Sequence, residues 1–117
     1  MANNILIVDD DMINRKLIAK IISKKGYQFK EAANGVEALD AVKQGPVDLV
    51  LLDLMMPVMN GMEFLQEIRR DPNYMNLPII VLTTDDSKRS EVINLGANDI
   101  MIKPVNPTEL LEKLEAF

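Results

Sequence analysis

Five short apolar runs, each followed by a stretch with helical spacing, constrain this chain more than any other feature. The runs lie at Asn4–Val8, Tyr27–Ala32, Val47–Asp53, Pro78–Thr83 and Asp99–Ile102. The third, Val47-Asp48-Leu49-Val50-Leu51-Leu52-Asp53, is too continuously apolar to be a half-exposed strand and predicts one buried on both faces. The second alternates weakly and predicts a more exposed strand.

Between the runs, apolar residues recur every three or four positions. Asp11 to Lys25 carries Ile13, Leu17, Ile18, Ile21 and Ile22, which predicts a helix with those residues inward, stopped by Gly26. Asn34-Gly35 predicts a turn. Val36, Leu39 and Val42 predict the inner face of a second helix, ended by Gly45-Pro46. Gly61 to Arg70 predicts a third, with Phe64, Leu65 and Ile68 inward, broken by Asp71-Pro72-Asn73. Asp86-Ser87 predicts the cap of a fourth, running to Leu95 and stopped by Gly96. Asn106-Pro107 starts a fifth, Thr108 to Phe117, with Leu110, Leu111 and Leu114 inward. The paired basic residues Lys24-Lys25 and Arg69-Arg70 read as solvated helix ends placed favourably on the macrodipole.

Strict strand–helix alternation predicts an α/β fold, a parallel sheet with helices on both faces and right-handed crossovers. At 117 residues, with no linker and no low-complexity stretch, the expectation is one domain over residues 1–117. Apolar content of 48% is enough for a packed core.

Composition removes several functions. Cysteine is absent, so disulfides and thiolate chemistry are excluded. Histidine is absent too, which excludes a Ser/His/Asp triad, histidine metal ligands and a phosphohistidine carrier. A net charge of −5 and the lack of tryptophan argue against direct nucleic-acid binding. The apolar runs are strand-sized, so no membrane span is expected. No signal-peptide pattern opens the chain, and a cytoplasmic location is the default expectation.

The polar chemistry gathers where the strands end. Asp9, Asp10 and Asp11 follow the first, Asp53 closes the third, Thr83 the fourth, and Lys103 follows the fifth. Open parallel sheets bind ligands at this carboxyl edge. Two or three carboxylates with backbone carbonyl oxygen and water suit octahedral Mg2+. One carboxylate can instead attack phosphorus and form an acyl phosphate. Such a transfer needs positioning and charge neutralisation, to which a divalent cation and a lysine ammonium both contribute. Alone, Asp9 and Asp10 would read as a helix cap; with Asp53 and Lys103 present, metal binding is preferred, and Asp11 is left as the cap. Met55, Met56, Met59 and Met62 read first as packing filler and second as an adaptable partner surface.

The motifs Ile7-Val8-Asp9-Asp10, Leu52-Asp53-Leu54-Met55-Met56-Pro57 with Asn60-Gly61, Val81-Leu82-Thr83, and Gly96-Ala97-Asn98-Asp99 leading to Lys103-Pro104 resemble those of response-regulator receiver domains. The resemblance covers nearly the whole chain. It implies a CheY-like, doubly wound (βα)5 flavodoxin-like fold with strand order 2-1-3-4-5. It implies that Asp53 is the phospho-acceptor, that Thr83 is the switch hydroxyl, and that Lys103 pairs with phosphoryl oxygens before a cis Lys-Pro bond. It implies Mg2+ held by Asp10 directly, by Asp9 through water, by Asp53, and by the backbone carbonyl of Met55. The implied partners are a sensor histidine kinase or histidine phosphotransfer protein as donor and a downstream protein as target. Homodimerisation on phosphorylation stays open.

Two positions depart from the pattern. Ile100 stands where an aromatic residue often accompanies switching, so a switch here has to work through Thr83 and the backbone. Thr84 stands where a smaller residue is common and is expected to narrow access to Asp53. Two other functions compete: a Mg2+-dependent phosphohydrolase acting through an aspartyl phosphate, and a receiver-shaped docking module that is never phosphorylated. The hydrolase of the haloacid-dehalogenase type needs a second Asp at the position of Met55; the docking module usually lacks one of the residues present here. The expectation is a signalling switch, not an enzyme beyond its own phosphoryl transfer and slow autodephosphorylation.

Overall fold

The apolar runs become five parallel strands: β1 (Asn4–Val8), β2 (Gln28–Ala32), β3 (Leu49–Asp53), β4 (Ile79–Thr83) and β5 (Asp99–Ile102). They form one sheet in the order β2-β1-β3-β4-β5, as expected for the doubly wound architecture. The computed structural model describes residues 3–56 and 58–117; Met1, Ala2 and Pro57, the last belonging to the Asp53 motif, lie outside the described residues. Among the described residues, four helices fill the crossovers, α1 (Met12–Ser23), α2 (Gly35–Gln44), α3 (Gly61–Arg70) and α4 (Arg89–Asn94), and α5 (Pro107–Glu115) follows β5.

Register explains why β3 is the most apolar run. Its Leu51 lies beside Ile7 of β1 and Ile80 of β4, so both edges are paired and both faces covered. All five β3 residues are buried. Alternation then divides the core. Val50 and Leu52 join Leu6, Val8, Phe64, Leu65, Ile79 and Val81 on one face. Leu49 and Leu51 join Ile5, Ile7, Ile18, Ile22, Leu110 and Leu114 on the other. Each such side chain contributes about 1.5–3 kcal/mol on leaving water. β2 is an edge strand, and its first three residues are exposed, matching its weaker pattern.

Several local expectations are corrected. In α1 only Ile18, Ala19 and Ile22 are buried; Ile13 and Leu17 are exposed, at 75% and 52%. Periodicity could not separate the buried stripe from a second apolar stripe beside it. In α2 the buried residues are Gly35, Ala38 and Val42, and Val36 faces outward. Gly35 opens that helix rather than completing a turn, with Asn34 accepting the Glu37 N–H as its cap. The fourth helical segment starts as a 3-10 turn, Asp86–Lys88, and its cap is Asp85, which accepts the Ser87 N–H, rather than Asp86-Ser87. Asp11 caps α1 as expected, accepting the Ile13 N–H at 2.9 Å.

Arg69 is not a solvated helix end. Its guanidinium donates to the carbonyl of Gly96 through Nε and Nη2 (3.0 and 2.8 Å), to the carbonyl of Tyr74 (2.7 Å) and to Asn98 Oδ1 (3.0 Å). It thereby ties the end of α3 to the turn between α4 and β5. Gly96 has φ +114, and a Cβ there would lie 2.9 Å from Arg69 Cγ, so glycine is required both by conformation and by this contact.

Candidate functional site

Parallel pairing brings the ends of β1, β3, β4 and β5 to one rim. Asp53 pairs with Leu82, one residue before Thr83, while Thr83 pairs with Ile102, one residue before Lys103. The Lys103 N–H donates to the Thr83 carbonyl at 2.8 Å, prolonging that pairing to the site. The Lys103–Pro104 peptide is cis, as the resemblance implies.

Lys103 reaches between two acids. Its Nζ lies 3.2 Å from Asp53 Oδ1 and 3.2 Å from Asp9 Oδ2. Asp9 and Asp53 are nearly inaccessible, at 1% and 5% exposure, whereas Asp10 is exposed. Carboxylate oxygens of Asp9, Asp10 and Asp53 all lie within 4.8 Å of one another. Three acids against one ammonium leave an excess of negative charge in a partly dry pocket. Burial, and then the neighbouring Asp9 carboxylate, raise the Asp53 pKa, while Lys103 pulls it back. Burial alone would lower the Lys103 pKa; the Asp53 and Asp9 charges overcome it, and the net shift is upward. An all-oxygen cluster of this size fits a hard divalent cation, and the chain has no histidine or cysteine to offer a softer one.

The neighbouring backbone is packed tightly. The Met55 N–H approaches Asp53 Oδ1 at 3.4 Å, and the Gly61 N–H donates to the Leu54 carbonyl at 3.0 Å. A Cβ on Gly61 would overlap the Asp53 carbonyl oxygen and lie 2.8 Å from Leu54 Cα, so only glycine lets α3 start this close to the end of β3. Thr83 is 4% exposed, and its hydroxyl accepts the Asp85 N–H at 3.1 Å. Ile100 is 2% exposed and packed into the core. Met56 is buried, Met59 and Met62 pack against the core, and Met55 is 78% exposed; filler describes three of the four methionines.

A cavity of about 330 Å³ opens beside the site, lined by Asp9, Leu17, Ile18, Thr84, Lys103 and Val105 among others. Thr84 thus shares a cavity wall with Asp9 and Lys103. The misplaced Leu17 of α1 forms part of the same wall.

The structure brings Asp9, Asp10, Asp53 and Lys103 together and sets Thr83 at the same rim, and it adds Arg15, which the sequence reading passed over. The Arg15 Nη1 donates to the Asp9 carbonyl at 2.6 Å, and its Nε to Glu31 Oε1 at 3.0 Å. The available signal was a polar residue one helical turn inside α1 followed, on the next strand, by an acid. Attention to apolar spacing alone passes over it.

Residues 5–115 match the family model of the response regulator receiver domain. The transcriptional regulatory protein CpxR homolog of Haemophilus influenzae is 38% identical over 117 residues, covering 98% of this chain and 50% of that protein. The chain therefore spans about half the length of the curated relatives it matches. Among solved structures, the chemotaxis response regulator CheY4 of Vibrio cholerae superposes with a TM-score of 0.92 at 34% identity, covering 99% of this chain and 98% of that one. The response regulator TrrA of Thermotoga maritima, solved in complex with Mg2+-BeF, gives 0.88 at 36% identity and 97% coverage of both. With the family model matched over residues 5–115 and the fold shared with CheY4, this chain belongs to the response regulator receiver domain family.

Proposed function

We propose that Asp53 is the phospho-acceptor of this receiver domain and that the acid cluster holds Mg2+. The observation that carries this reading is the placement of Lys103 Nζ 3.2 Å from Asp53 beside three mutually close carboxylates. An Asp53 oxygen attacks the phosphorus of a donor phosphohistidine; the P–O bond forms as the P–N bond breaks, and the imidazole leaves. Asp10, Asp53 and the Met55 carbonyl would ligate the cation directly, with Asp9 acting through water. Bound there, Mg2+ would neutralise charge on the phosphoryl oxygens. The Lys103 ammonium supplies the same service from the opposite side.

The Thr83 hydroxyl accepts the Asp85 N–H, which leaves its own O–H free to donate to a phosphoryl oxygen. Turning toward it would draw on the β4–α4 loop. With Ile100 in the aromatic position, the response runs through Thr83 and the backbone. The donor is a sensor histidine kinase or phosphotransfer protein; the cavity walled by Leu17 and Thr84 borders Asp9 and Lys103, the two groups next to Asp53. The modified surface then selects a downstream protein.

The acidic balance that disfavours nucleic acid belongs to these 117 residues and does not extend to a longer protein such as the Haemophilus relative. Among the described residues, no helix is long and apolar enough to cross a membrane.

Treatment with acetyl phosphate and Mg2+ is expected to add one phosphoryl mass to the chain and none to Asp53→Ala. Labelling that persists in the variant would overturn the assignment. A generic phosphomonoester should show no sustained turnover, since Met55 stands where a hydrolase of this kind carries its acid.

A further inference from the structure

Asp9 is held at every polar atom. Its N–H donates to the Ala32 carbonyl at 3.1 Å, and its carboxylate accepts from the Asp11 N–H at 2.9 Å and from Lys103 at 3.2 Å. Its carbonyl accepts from Arg15 at 2.6 Å. Asp10 is different: among the described residues, no hydrogen bond reaches its carboxylate, although that group belongs to the acid cluster. What aims Asp10 is the backbone before it. The Asp9 carbonyl and the Asp10 N–H share one rigid peptide plane, so the group that fixes the carbonyl also fixes the direction in which Asp10 leaves the chain.

Arg15 is that group, and it is itself braced. It projects from α1 with 14% side-chain exposure and forks between the Asp9 carbonyl and Glu31. Glu31 sits on β2 directly beside Ile7 of β1, two residues before Asp9. Its second oxygen holds Lys16 Nζ at 2.6 Å. The brace thus spans β2, α1 and the β1–α1 loop.

We propose that Arg15, anchored by Glu31, is a positioning residue that orients the Asp9–Asp10 peptide and so presents Asp10 to the divalent cation. This rests on the cluster being a cation site, as argued above. Arginine is needed because its planar fork serves two acceptors at once, which a lysine ammonium on a flexible stem does not reproduce. Groups that orient metal ligands typically alter affinity by 10–100-fold when removed.

The test compares the wild-type chain with Arg15→Met, Arg15→Lys and Lys16→Met. Mg2+ titrations are followed by calorimetry and by the backbone amide shifts of residues 9–11, with melting temperatures measured alongside. Both Arg15 variants should bind Mg2+ roughly tenfold more weakly, and Lys16→Met should change affinity by less than about twofold. Lys16→Met removes the same charge from the same Glu31 partner without touching Asp9, so it separates charge from geometry. Saturating Mg2+ should restore the acetyl phosphate reaction of Arg15→Met. Unchanged affinity in Arg15→Met with only a lower melting temperature would overturn the proposal, as would an equal loss in Lys16→Met. Failure of the wild-type chain to bind Mg2+ would instead overturn the cation site itself; an unmoved Asp10 amide in metal-free Arg15→Met would then remove the brace as well.

Discussion

Helices α3 and α4 follow the two strands that carry Asp53 and Thr83, yet they are built to opposite standards. The ten-residue α3 opens with a complete capping box, Asn60 to the Glu63 N–H and Glu63 back to the Asn60 N–H. It buries Gly61, Phe64, Leu65 and Ile68. The six-residue α4 has no side-chain cap bond at Lys88 and buries only Val92. A helix this short is marginal without packing. The helix beside Asp53 is therefore well anchored, and the helix beside Thr83 is loosely attached. Regions that respond to ligands are drawn from the less stable end of a structure. Arg69 of α3 grips the Gly96 carbonyl in the turn after α4 and so ties the well-anchored helix to the loosely attached one.

Three substitutions break or sharpen that contrast. The largest effect is expected at the fixed end: Gly61→Ala drives a methyl into the Asp53 carbonyl and should cost about 3 kcal/mol, read by urea denaturation. Stability within about 0.5 kcal/mol of wild type would mean α3 can shift, and the contrast would fail. Next is Arg69→Met, which leaves carbonyls of Gly96 and Tyr74 without their charged donor and should cost about 2 kcal/mol. Hydrogen exchange should localise the loss to α4 and the turn before β5, with α3 amides protected as before. Loosening spread evenly over both helices would contradict the tether.

The smallest effect concerns the acid cluster, where burial and Asp9 raise the Asp53 pKa. For an acid, a raised folded value means that ionisation costs stability. The cost is absent where Asp53 is protonated in both states, below the ordinary Asp range, and complete once pH exceeds the folded value. Asp53→Asn should therefore stabilise the metal-free protein at neutral pH by about 1 kcal/mol while abolishing phosphoryl acceptance. For Asp53→Asn the gain should vanish as the solution is acidified. A lower melting temperature at pH 7 would show that Lys103 more than compensates the crowding.

Legibility in the sequence varied with the range of the forces involved. Strand positions and the inward residues of α3 followed from short-range periodicity. The stripe of α1 did not, because Ile13 and Leu17 lie at helical spacing with the buried residues, and only the sheet and α5 determine which side is covered. Arg69 looked like a helix end because its acceptors, Gly96 and Asn98, lie 27 and 29 positions away.

From its sequence alone the chain was committed to alternating strands and helices and to acids, a hydroxyl and an ammonium at strand ends, since hydrophobic period and residue chemistry are local properties. Tertiary packing determined that Lys103 stands between Asp9 and Asp53, that Arg15 grips the loop behind Asp10, and that α4 is left loosely held. Those outcomes depend on register and on contacts between distant segments, which exist only once the sheet has closed the distance.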